Sequence, residues 1–443
     1  MDKNQINIKL NNIRSIKDAN IILDGITVIA GENGSGKSTI SKLTYHLFST
    51  SIDFDKIVDK NLQDELRQIY RTLDQLSRDL SYFIDKDEYL KIRNSFRNIY
   101  RNESQLSVFE EDNVIFSAID YLIDMFSNEK KIPQNKPQIS WRLERIRMIL
   151  GDSFLSAKDE KSDITTLLIN LKSVINKNFN NSLKYKENRP LSILDEKLVE
   201  AFYDSPLPNS FNIFEYGVPI IDRQNNKLLP IHTIQKVAYI DTPMILGIDF
   251  YAERAHWEDI NEIITKKQSY KSNSELESIF RKEILKGDVN FEDKEITSKT
   301  FTYKREDGKE FDLLECATGL KSFSLLQLLY KNGFLSNKTL LIIDEPEVHL
   351  HPQWVVEYAR LVVLLNKHLG VKFLLASHHP DMISAIKYIS EKENTSGNLH
   401  FYLANQYLNS FTYNYKDLGV EIEDIFSSFN IALERIDSYG QSE

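Results

Sequence analysis

The chain has 443 residues, of which 41% are apolar and 27% charged, and its formal net charge is −10. This composition excludes disorder as the overall state, and the length allows two or three domains or one large domain with an insertion. There is no run of 18 apolar residues, no apolar N-terminal stretch and one cysteine, so we expect a cytoplasmic protein without membrane contact, disulfide framework or cysteine-rich zinc site. The acidic balance also means that any nucleic-acid contact must use a local basic patch.

The first 30 residues predict short strands. Apolar and polar residues alternate from Ile6 to Leu10, which is typical of a half-buried strand. The apolar runs 21–23 and 26–30 flank a turn at Gly25. This pattern predicts a hairpin whose second arm is a buried strand.

A phosphate-binding loop follows that strand. Residues 31–38 read G-E-N-G-S-G-K-S and match G-x-x-x-x-G-K-[ST] in full, and residues 40–47 predict a helix after it. The glycines let backbone N–H groups converge on phosphate oxygens, and the helix N-terminus adds a favourable partial charge. We expect Lys37 to reach the β- and γ-phosphates of ATP and the hydroxyl of Ser38 to help hold Mg²⁺.

Residues from about 55 to 185 predict helices. Glycine is nearly absent there, and apolar residues recur at alternating spacings of four and three between Leu62 and Phe83. Segments 115–126 and 164–175 repeat the pattern. The prediction is a helical insertion, either a short coiled coil or a small bundle, and ordinary amphipathic helices packed on a globular core are the alternative.

The strand signal returns after residue 211. The predicted elements are, in order, strands at 211–221 and 237–240, a helical region at 251–286, a hairpin around Asp307 and Gly308, a helix at 322–330, and strands at 339–343 and 371–376. The last two strands are short apolar runs between polar turns, which is typical of the centre of a buried sheet.

The strand at 339–343 ends in two acids, Asp344 and Glu345. At the carboxyl edge of a sheet that also carries a P-loop, the first carboxylate can hold the hydration shell of Mg²⁺. The second can orient or deprotonate the attacking water.

Residues 344–352 read D-E-P-E-V-H-L-H-P and resemble the D-E-P-E-x-x-L-H-P run of ABC-type ATPases, most of all the branch with SMC proteins, RecF and OLD-type defence nucleases. Three further segments agree: N-I-R-S-I at 12–16, A-T-G-L-K at 317–321 in the place of the signature, and S-H-H-P at 377–380 in the place of the switch histidine. The resemblance covers roughly 1–50 and 210–385.

The resemblance implies an α/β fold, an ABC-type ATPase head whose mixed sheet carries the P-loop and is interrupted by the helical or short coiled-coil insertion. The expected domains are an N-terminal lobe at 1–54, the insertion at 55–205 and a C-terminal lobe at 206–443.

The resemblance also implies a mechanism in which two heads pair head to tail and bury two ATP molecules. The implied catalytic residues are Lys37, Glu345 and His378. The implied nucleotide-binding residues are Arg14, Gly31, Asn33, Gly34, Ser35, Gly36, Lys37, Ser38 and Thr39, with Thr318 and Gly319 reaching the partner's nucleotide. The implied Mg²⁺ ligands are Ser38 and Asp344.

Two positions depart from the family pattern. Ala317 and Thr318 replace the serine and first glycine of the signature, so hydrolysis is expected to be slow. No Q-loop glutamine can be placed, and Asp241 at the end of a predicted strand is the candidate for a related metal or water role. A turn that merely ends the strand explains Asp241 equally well.

In its size and its short helical insertion, the chain resembles the stand-alone ATPases of PARIS-, Septu- and retron-associated anti-phage systems. The leading hypothesis is therefore an oligomeric defence ATPase that senses a phage protein or nucleic acid and controls a separate effector, such as a nuclease. We expect the effector to be separate because the TOPRIM domain of OLD-type nucleases does not fit within residues 380–443. The alternative is a DNA-repair or DNA-clamping ATPase of RecF or SMC type. Arg93, Arg97 and Arg101 share a predicted helix face and are candidate contacts with the partner or trigger, although a solvated basic face is the commoner explanation.

Overall fold

The computed structural model describes residues 6–80, 86, 87, 90, 93, 108–127, 137–150, 164–202, 211–241, 255–265, 273–294, 298–408, 410–427 and 439. The chain divides into two compact units. The first, here called the head unit, comprises Met1–Ile52 and Pro190–Glu443, and the second, the helical unit, comprises Asp53–Arg189.

The second boundary therefore lies at residue 189 and not at 205, where the sequence pattern placed it. The reason is the helix Ser192–Phe202, which packs on the helix Lys37–Ile52 of the head unit. Helical periodicity alone does not tell which unit a helix joins.

The head unit combines strands and helices. Its strands are β1 (Ile6–Ile13), β2 (Ile16–Ile22), β3 (Ile26–Ala30), β4 (Phe211–Glu215), β5 (Val218–Pro219), β6 (Ile221–Asp222), β7 (Lys227–Leu228), β8 (Lys236–Ile240), β9 (Gly287–Lys294), β10 (Ser298–Arg305), β11 (Glu310–Asp312), β12 (Thr339–Asp344), β13 (Lys372–Ser377), β14 (Leu399–Gln406) and β15 (Tyr413–Gly419).

Its α-helices are α1 (Lys37–Ile52), α6 (Ser192–Phe202), α7 (Ala255–Thr265), α8 (Ser274–Ser278), α9 (Thr318–Lys331), α10 (Pro352–Leu369) and α11 (Pro380–Lys392); numbers α2 to α5 belong to the helical unit. A π-helix, Ile279–Ile284, continues directly from α8, and short 3₁₀ helices span Leu313–Glu315 and Ser396–Asn398.

A ten-stranded sheet runs in the order β5-β4-β1-β2-β15-β14-β3-β13-β12-β8. Strands β14, β3, β13, β12 and β8 pair in parallel, whereas β1 pairs antiparallel with both β2 and β4. Every residue of β3 and of β12 is buried, which explains why both strands are continuous apolar runs. The predicted fold class, a mixed α/β sheet carrying a P-loop and interrupted by helices, is confirmed.

The register of the parallel strands aligns their carboxyl ends at one edge of the sheet. Ala30 lies opposite Ser377, Asp344 opposite Ala376, and Ile343 opposite Ile240. The loops that follow β3, β12, β13 and β8 therefore begin side by side. This edge is where the sequence motifs meet.

The helical unit is a small bundle. Its described helices are α2 (Phe54–Leu80), α3 (Val108–Ser127), α4 (Pro137–Leu150) and α5 (Ile164–Asn188). Their apolar faces share one core, whose buried members include Leu62, Leu66, Ile69, Leu73, Leu76, Ile115, Ile119, Leu122, Ile146, Leu168, Leu171 and Ile175. Of the two predicted arrangements, the described helices form the bundle. Arg97 and Arg101 lie outside the described residues.

In the part of the chain that the structure describes, no helix combines the length and the apolar character needed to cross a membrane.

Candidate functional site

The predicted P-loop connects β3 to α1 and lies against the turn between β1 and β2. Gly36 has a φ of 102°, a conformation that side chains rarely adopt. A Cβ at this position would stand 2.8 Å from Oγ of Ser15 and 2.8 Å from Cγ1 of Ile16. A glycine is therefore required here for the backbone to pass this turn.

The remaining predicted phosphate-binding residues follow in the loop and the first turn of α1. Asn33, Gly34 and Ser38 are exposed, whereas Ser35 is buried and its Oγ has no hydrogen-bond partner. The backbone carbonyl of Ser35 accepts a hydrogen bond from the hydroxyl of Tyr415 on β15 over 3.1 Å. The loop is thus attached to the sheet while its outer residues remain accessible.

The side chain of Lys37 lies within the loop. Its Nζ donates hydrogen bonds to the carbonyl oxygens of Gly31 at 2.7 Å and Glu32 at 2.9 Å. Burial lowers the pKa of Lys37, and the nearby carboxylates oppose this, Glu345 and Asp344 most strongly. The lysine is therefore held among acids that favour its charged form.

Asp344 at the end of β12 receives hydroxyl groups from two elements. Ser41 on α1 donates to Oδ1, and Tyr239 on β8 donates to Oδ2 over 2.8 Å. Burial raises the pKa of Asp344, and hydrogen bonds from Ser41, Tyr239 and Ser38 act in the opposite direction. The structure therefore brings Ser38 and Asp344 together, and their role as Mg²⁺ ligands stays a prediction.

This pair fits the chemistry of Mg²⁺, which prefers oxygen ligands and is usually held by one or two carboxylates together with substrate phosphates. Among the described residues, no group of three or more His, Cys, Asp or Glu side chains is arranged to hold a metal ion. A single carboxylate and a hydroxyl beside a phosphate site are what a nucleotide-bound Mg²⁺ requires.

Asp241 follows β8 and is held by α7. Nε1 of Trp257 donates to its Oδ1 over 2.7 Å, and Nε2 of His256 lies 3.2 Å from the same oxygen. The negative charge of Asp241 contributes to the raised pKa of Asp344. Asp241 thus anchors α7 near the site, and its metal role remains a prediction.

Glu345 and His378 face each other at the edge of the sheet. Glu345 has a φ of 48°, which is uncommon for a residue other than glycine, and its backbone N–H bonds to the carbonyl of Ala376 over 2.8 Å. Its side chain is 42% exposed, and its Oε1 lies 3.7 Å from Nδ1 of His378. The carboxylate can therefore reach a water molecule beside the P-loop.

Glu347 contacts the backbone segment that carries His378, and no role was predicted for it from the sequence. It is buried, and its Oε1 accepts hydrogen bonds from the hydroxyl of Ser377 at 2.9 Å and the backbone N–H of His378 at 3.1 Å. Nδ1 of His378 lies 3.6 Å from the same oxygen. Its place as the second glutamate of the D-E-P-E run is the sequence feature that could have identified it.

Arg14 lies in the turn between β1 and β2, with a φ of 50°. Its guanidinium stands 4.6 Å from the ring centre of Phe202 and donates to the carbonyl of that residue over 3.3 Å. The neighbouring Ser15 contacts the P-loop at Gly36. Arg14 is exposed beside the loop, and its contact with nucleotide remains a prediction.

The segment proposed as the signature begins α9. Ala317 is the exposed N-cap and supplies no side-chain hydrogen bond, and Thr318 is the first helical residue. A Cβ on Gly319 would stand 3.2 Å from Cδ2 of Leu350. The glycine is thus explained at least in part by packing within this chain.

Together, the P-loop, the buried lysine and the two acids at the end of β12 are the features expected of an ATPase domain. The chain belongs to the AAA ATPase domain family, whose model matches residues 6–383. None of the curated proteins matches the chain significantly.

Solved structures also align with the chain. The SMC head domain from Thermotoga maritima shares 12% identity over 93% of this chain and 98% of that chain, with a TM-score of 0.35. The Smc head domain derived from Pyrococcus furiosus, bound to the C-terminal domain of ScpA, shares 10% identity over 97% and 98%, with a TM-score of 0.34. CbiO1 from Clostridium perfringens, part of the transporter complex cbiONQ, shares 14% identity over 56% and 82%, with a TM-score of 0.25. At these TM-scores, the alignments support no conclusion about function.

Proposed function

We propose that the chain binds ATP with Mg²⁺ and hydrolyses it to ADP and phosphate. The observation that carries this proposal is the convergence of Lys37, Asp344, Glu345 and His378 at one edge of the sheet. Lys37 lies on α1, Asp344 ends β12 and is followed by Glu345, and His378 follows β13. The register of the parallel strands brings these residues together.

Each residue has a distinct role in this proposal. Lys37 exchanges the carbonyls of Gly31 and Glu32 for the β- and γ-phosphates, while Ser38 and Asp344 hold Mg²⁺. The bound ion supplies neutralisation of the phosphate charge during transfer. Glu345 orients the attacking water and accepts its proton, which is general-base catalysis.

His378 is proposed to contact the γ-phosphate from the end of β13. Its Nδ1 is directed toward the carboxylates of Glu345 and Glu347, at 3.7 and 3.6 Å. The opposite nitrogen of the ring is then the one available to a phosphate oxygen. Glu347 fixes the backbone from which this ring projects.

We further propose that ATP joins two copies of the chain. The P-loop of one copy and the segment 317–321 of the other would hold each nucleotide, with Thr318 offering its hydroxyl and Gly319 its backbone. Because Ala317 lacks the hydroxyl of the usual serine, the paired state hydrolyses ATP slowly.

The biological role follows from the resemblance of 344–352 to the branch of ABC-type ATPases that includes defence proteins. We propose that ATP-dependent pairing controls a separate toxic effector in anti-phage defence. The helical unit, a compact bundle with its own core, is the part proposed to sense the trigger.

Glu345→Gln tests the catalytic assignment. It should keep ATP binding and slow hydrolysis by at least ~10²-fold, the size expected on loss of a general base. Glu306→Gln, at an exposed turn, is the matched control and should hydrolyse ATP normally. An unchanged rate in Glu345→Gln would overturn the role of Glu345 as the base.

The defence role needs a separate test. The chain, expressed with its neighbouring genes, should reduce phage plaque formation, and Lys37→Ala should remove this protection. Equal plaque counts with and without the genes, together with ATP-dependent retention of DNA by the purified chain, would replace the defence role with the DNA-clamping alternative. The ATPase assignment would survive that outcome.

A further inference from the structure

The carboxylate of Asp344 is held by two hydroxyl groups that sequence analysis did not identify. Ser41 donates to one carboxylate oxygen and Tyr239 to the other, over 2.8 Å in the second case. Neither donor can exchange its partner for bulk water, because Ser41 is 0% and Tyr239 1% exposed. The two bonds therefore fix the plane of the carboxylate from both sides.

The two donors stand on regular elements whose positions relative to the metal-holding residues are set by the fold. Ser41 lies three positions after Ser38 on α1, so both hydroxyls are on the same face of the helix. Tyr239 lies directly opposite Ile342 in the parallel pairing of β8 with β12, two positions before Asp344.

The ring of Tyr239 is itself locked in place. It packs at 4.8 Å against the ring of His256 and at 6.0 Å against the ring of Tyr45. His256 in turn stands 3.2 Å from Asp241. These contacts fix the orientation of the ring, so that the hydroxyl of Tyr239 points toward Asp344.

We propose that Ser41 and Tyr239 are positioning residues for Mg²⁺ binding: they hold the carboxylate of Asp344 in the orientation that faces Ser38. The proposal deepens the ATPase assignment above and rests on it. Partners that orient a metal ligand typically change metal affinity by about 10- to 100-fold when they are removed. The same two bonds also favour the ionised form of this buried carboxyl, since hydroxyl donors stabilise a carboxylate.

The test measures the Mg²⁺ dependence of nucleotide binding, which does not require hydrolysis. A fluorescent ATP analogue is titrated at a series of Mg²⁺ concentrations and again in EDTA. In Tyr239→Phe and in Ser41→Ala, the Mg²⁺ concentration for half-maximal binding should rise by about tenfold or more, whereas binding in EDTA should equal that of the wild type.

Each variant has a matched control in the same region. Tyr45→Phe removes the hydroxyl of a neighbouring buried tyrosine, one that donates to Asp259 instead of Asp344. Thr44→Val removes a hydroxyl of α1 that bonds to the carbonyl of Ile40. Both controls should keep the wild-type Mg²⁺ requirement, which separates an effect on Asp344 from a general loss of packing.

The outcomes are distinguishable. If the wild type does not bind the analogue at any Mg²⁺ concentration, the proposed function fails. If it binds the analogue with no dependence on Mg²⁺, the positioning role fails. If the wild type needs Mg²⁺ and Ser41→Ala and Tyr239→Phe need the same concentration, the positioning role is wrong while the ATPase assignment stands. Thermal unfolding monitors whether the variants fold. If Tyr239→Phe does not fold, the Mg²⁺ requirement of Ser41→Ala tests the positioning role.

Discussion

The hydroxyl of Ser377 donates a hydrogen bond over 2.9 Å to Oε1 of Glu347, a residue 30 positions earlier in the chain. The bond joins the end of β13 to the loop that follows β12. Because the same oxygen accepts a hydrogen bond from the backbone N–H of His378, Glu347 fixes the backbone position of this histidine. Two motifs that are separate in the sequence are thus connected by one buried carboxylate.

Glu347→Ala should slow ATP hydrolysis by about 10- to 100-fold, because small displacements of a reacting group have effects of this size. It should also lower the free energy of unfolding by about 1–3 kcal/mol, since the hydroxyl of Ser377 and the N–H of His378 lose a buried acceptor. Steady-state kinetics and urea denaturation measure the two effects. Glu347→Gln retains an acceptor oxygen and should be milder, and exposed Glu391→Ala is the control. Wild-type turnover in Glu347→Ala would contradict the link.

Lys37→Ala should weaken ATP binding by at least about tenfold and abolish hydrolysis, because a charge-assisted hydrogen bond to phosphate contributes roughly 1.5–3 kcal/mol. Isothermal titration with ATP and Mg²⁺ measures the first effect and phosphate release the second. Lys42→Ala, on the same helix but outside the loop, should behave as the wild type. Normal turnover in Lys37→Ala would show that residues 31–38 do not form a phosphate site.

His46 should make the head unit less stable as the pH falls. Burial, with the nearby His256, Lys197 and Lys42, lowers the pKa of His46 from 6.5 to about 3. Below pH 6.5 the unfolded chain therefore takes up a proton that the folded chain does not bind until much lower pH, and stability is lost across this range. Between pH 7.5 and 5.5 this residue should remove about 1.4 kcal/mol from the free energy of unfolding.

Urea denaturation of the wild type and of His46→Gln at the two pH values isolates that contribution, since the other titrating groups are common to both. The variant should lose less stability than the wild type over the interval, by the amount stated. Equal losses in the two proteins would show that His46 titrates normally in the folded state.

The sequence predicted those parts of the site that lie in continuous motifs. The motifs at 31–38 and 344–345 are recognised from their own residues and from the apolar strand that precedes each of them. The order of strands in the sheet is not needed to identify them. The three-and-four spacing likewise predicted the helical unit, because a buried helix face repeats within a single segment. The hairpin predicted from the runs 21–23 and 26–30 was wrong, because β15 and β14 lie between β2 and β3 in the sheet.

The contacts that hold Asp344 could not be predicted in this way. Tyr239 reaches it only because β8 is the neighbour of β12, and a single sequence contains no local sign of that pairing. Glu347 and Ser377 meet for the same reason across β12 and β13. The boundary after residue 189 was missed because α6 has the helical periodicity of the bundle but packs on the head unit.

The pairing of two heads is best tested at Ala317. A substitution at Gly319 would be ambiguous, because a side chain there meets Leu350 of the same chain at 3.2 Å. Ala317 already carries a Cβ and is exposed, so Ala317→Arg adds bulk and charge without a collision inside the chain. In the Glu345→Gln background, ATP should produce a sedimenting pair, and Ala317→Arg should abolish it while ATP binding by each copy persists.

Ala317→Ser is the matched substitution in the opposite direction. Serine is a favourable N-cap, so it should stabilise α9 by about 0.5–2 kcal/mol, and its hydroxyl restores the side chain that the signature usually offers to the partner's nucleotide. With Glu345 intact, this variant should pair at lower ATP concentration and hydrolyse ATP faster than the wild type. ATP-dependent pairs that survive Ala317→Arg would place the interface elsewhere.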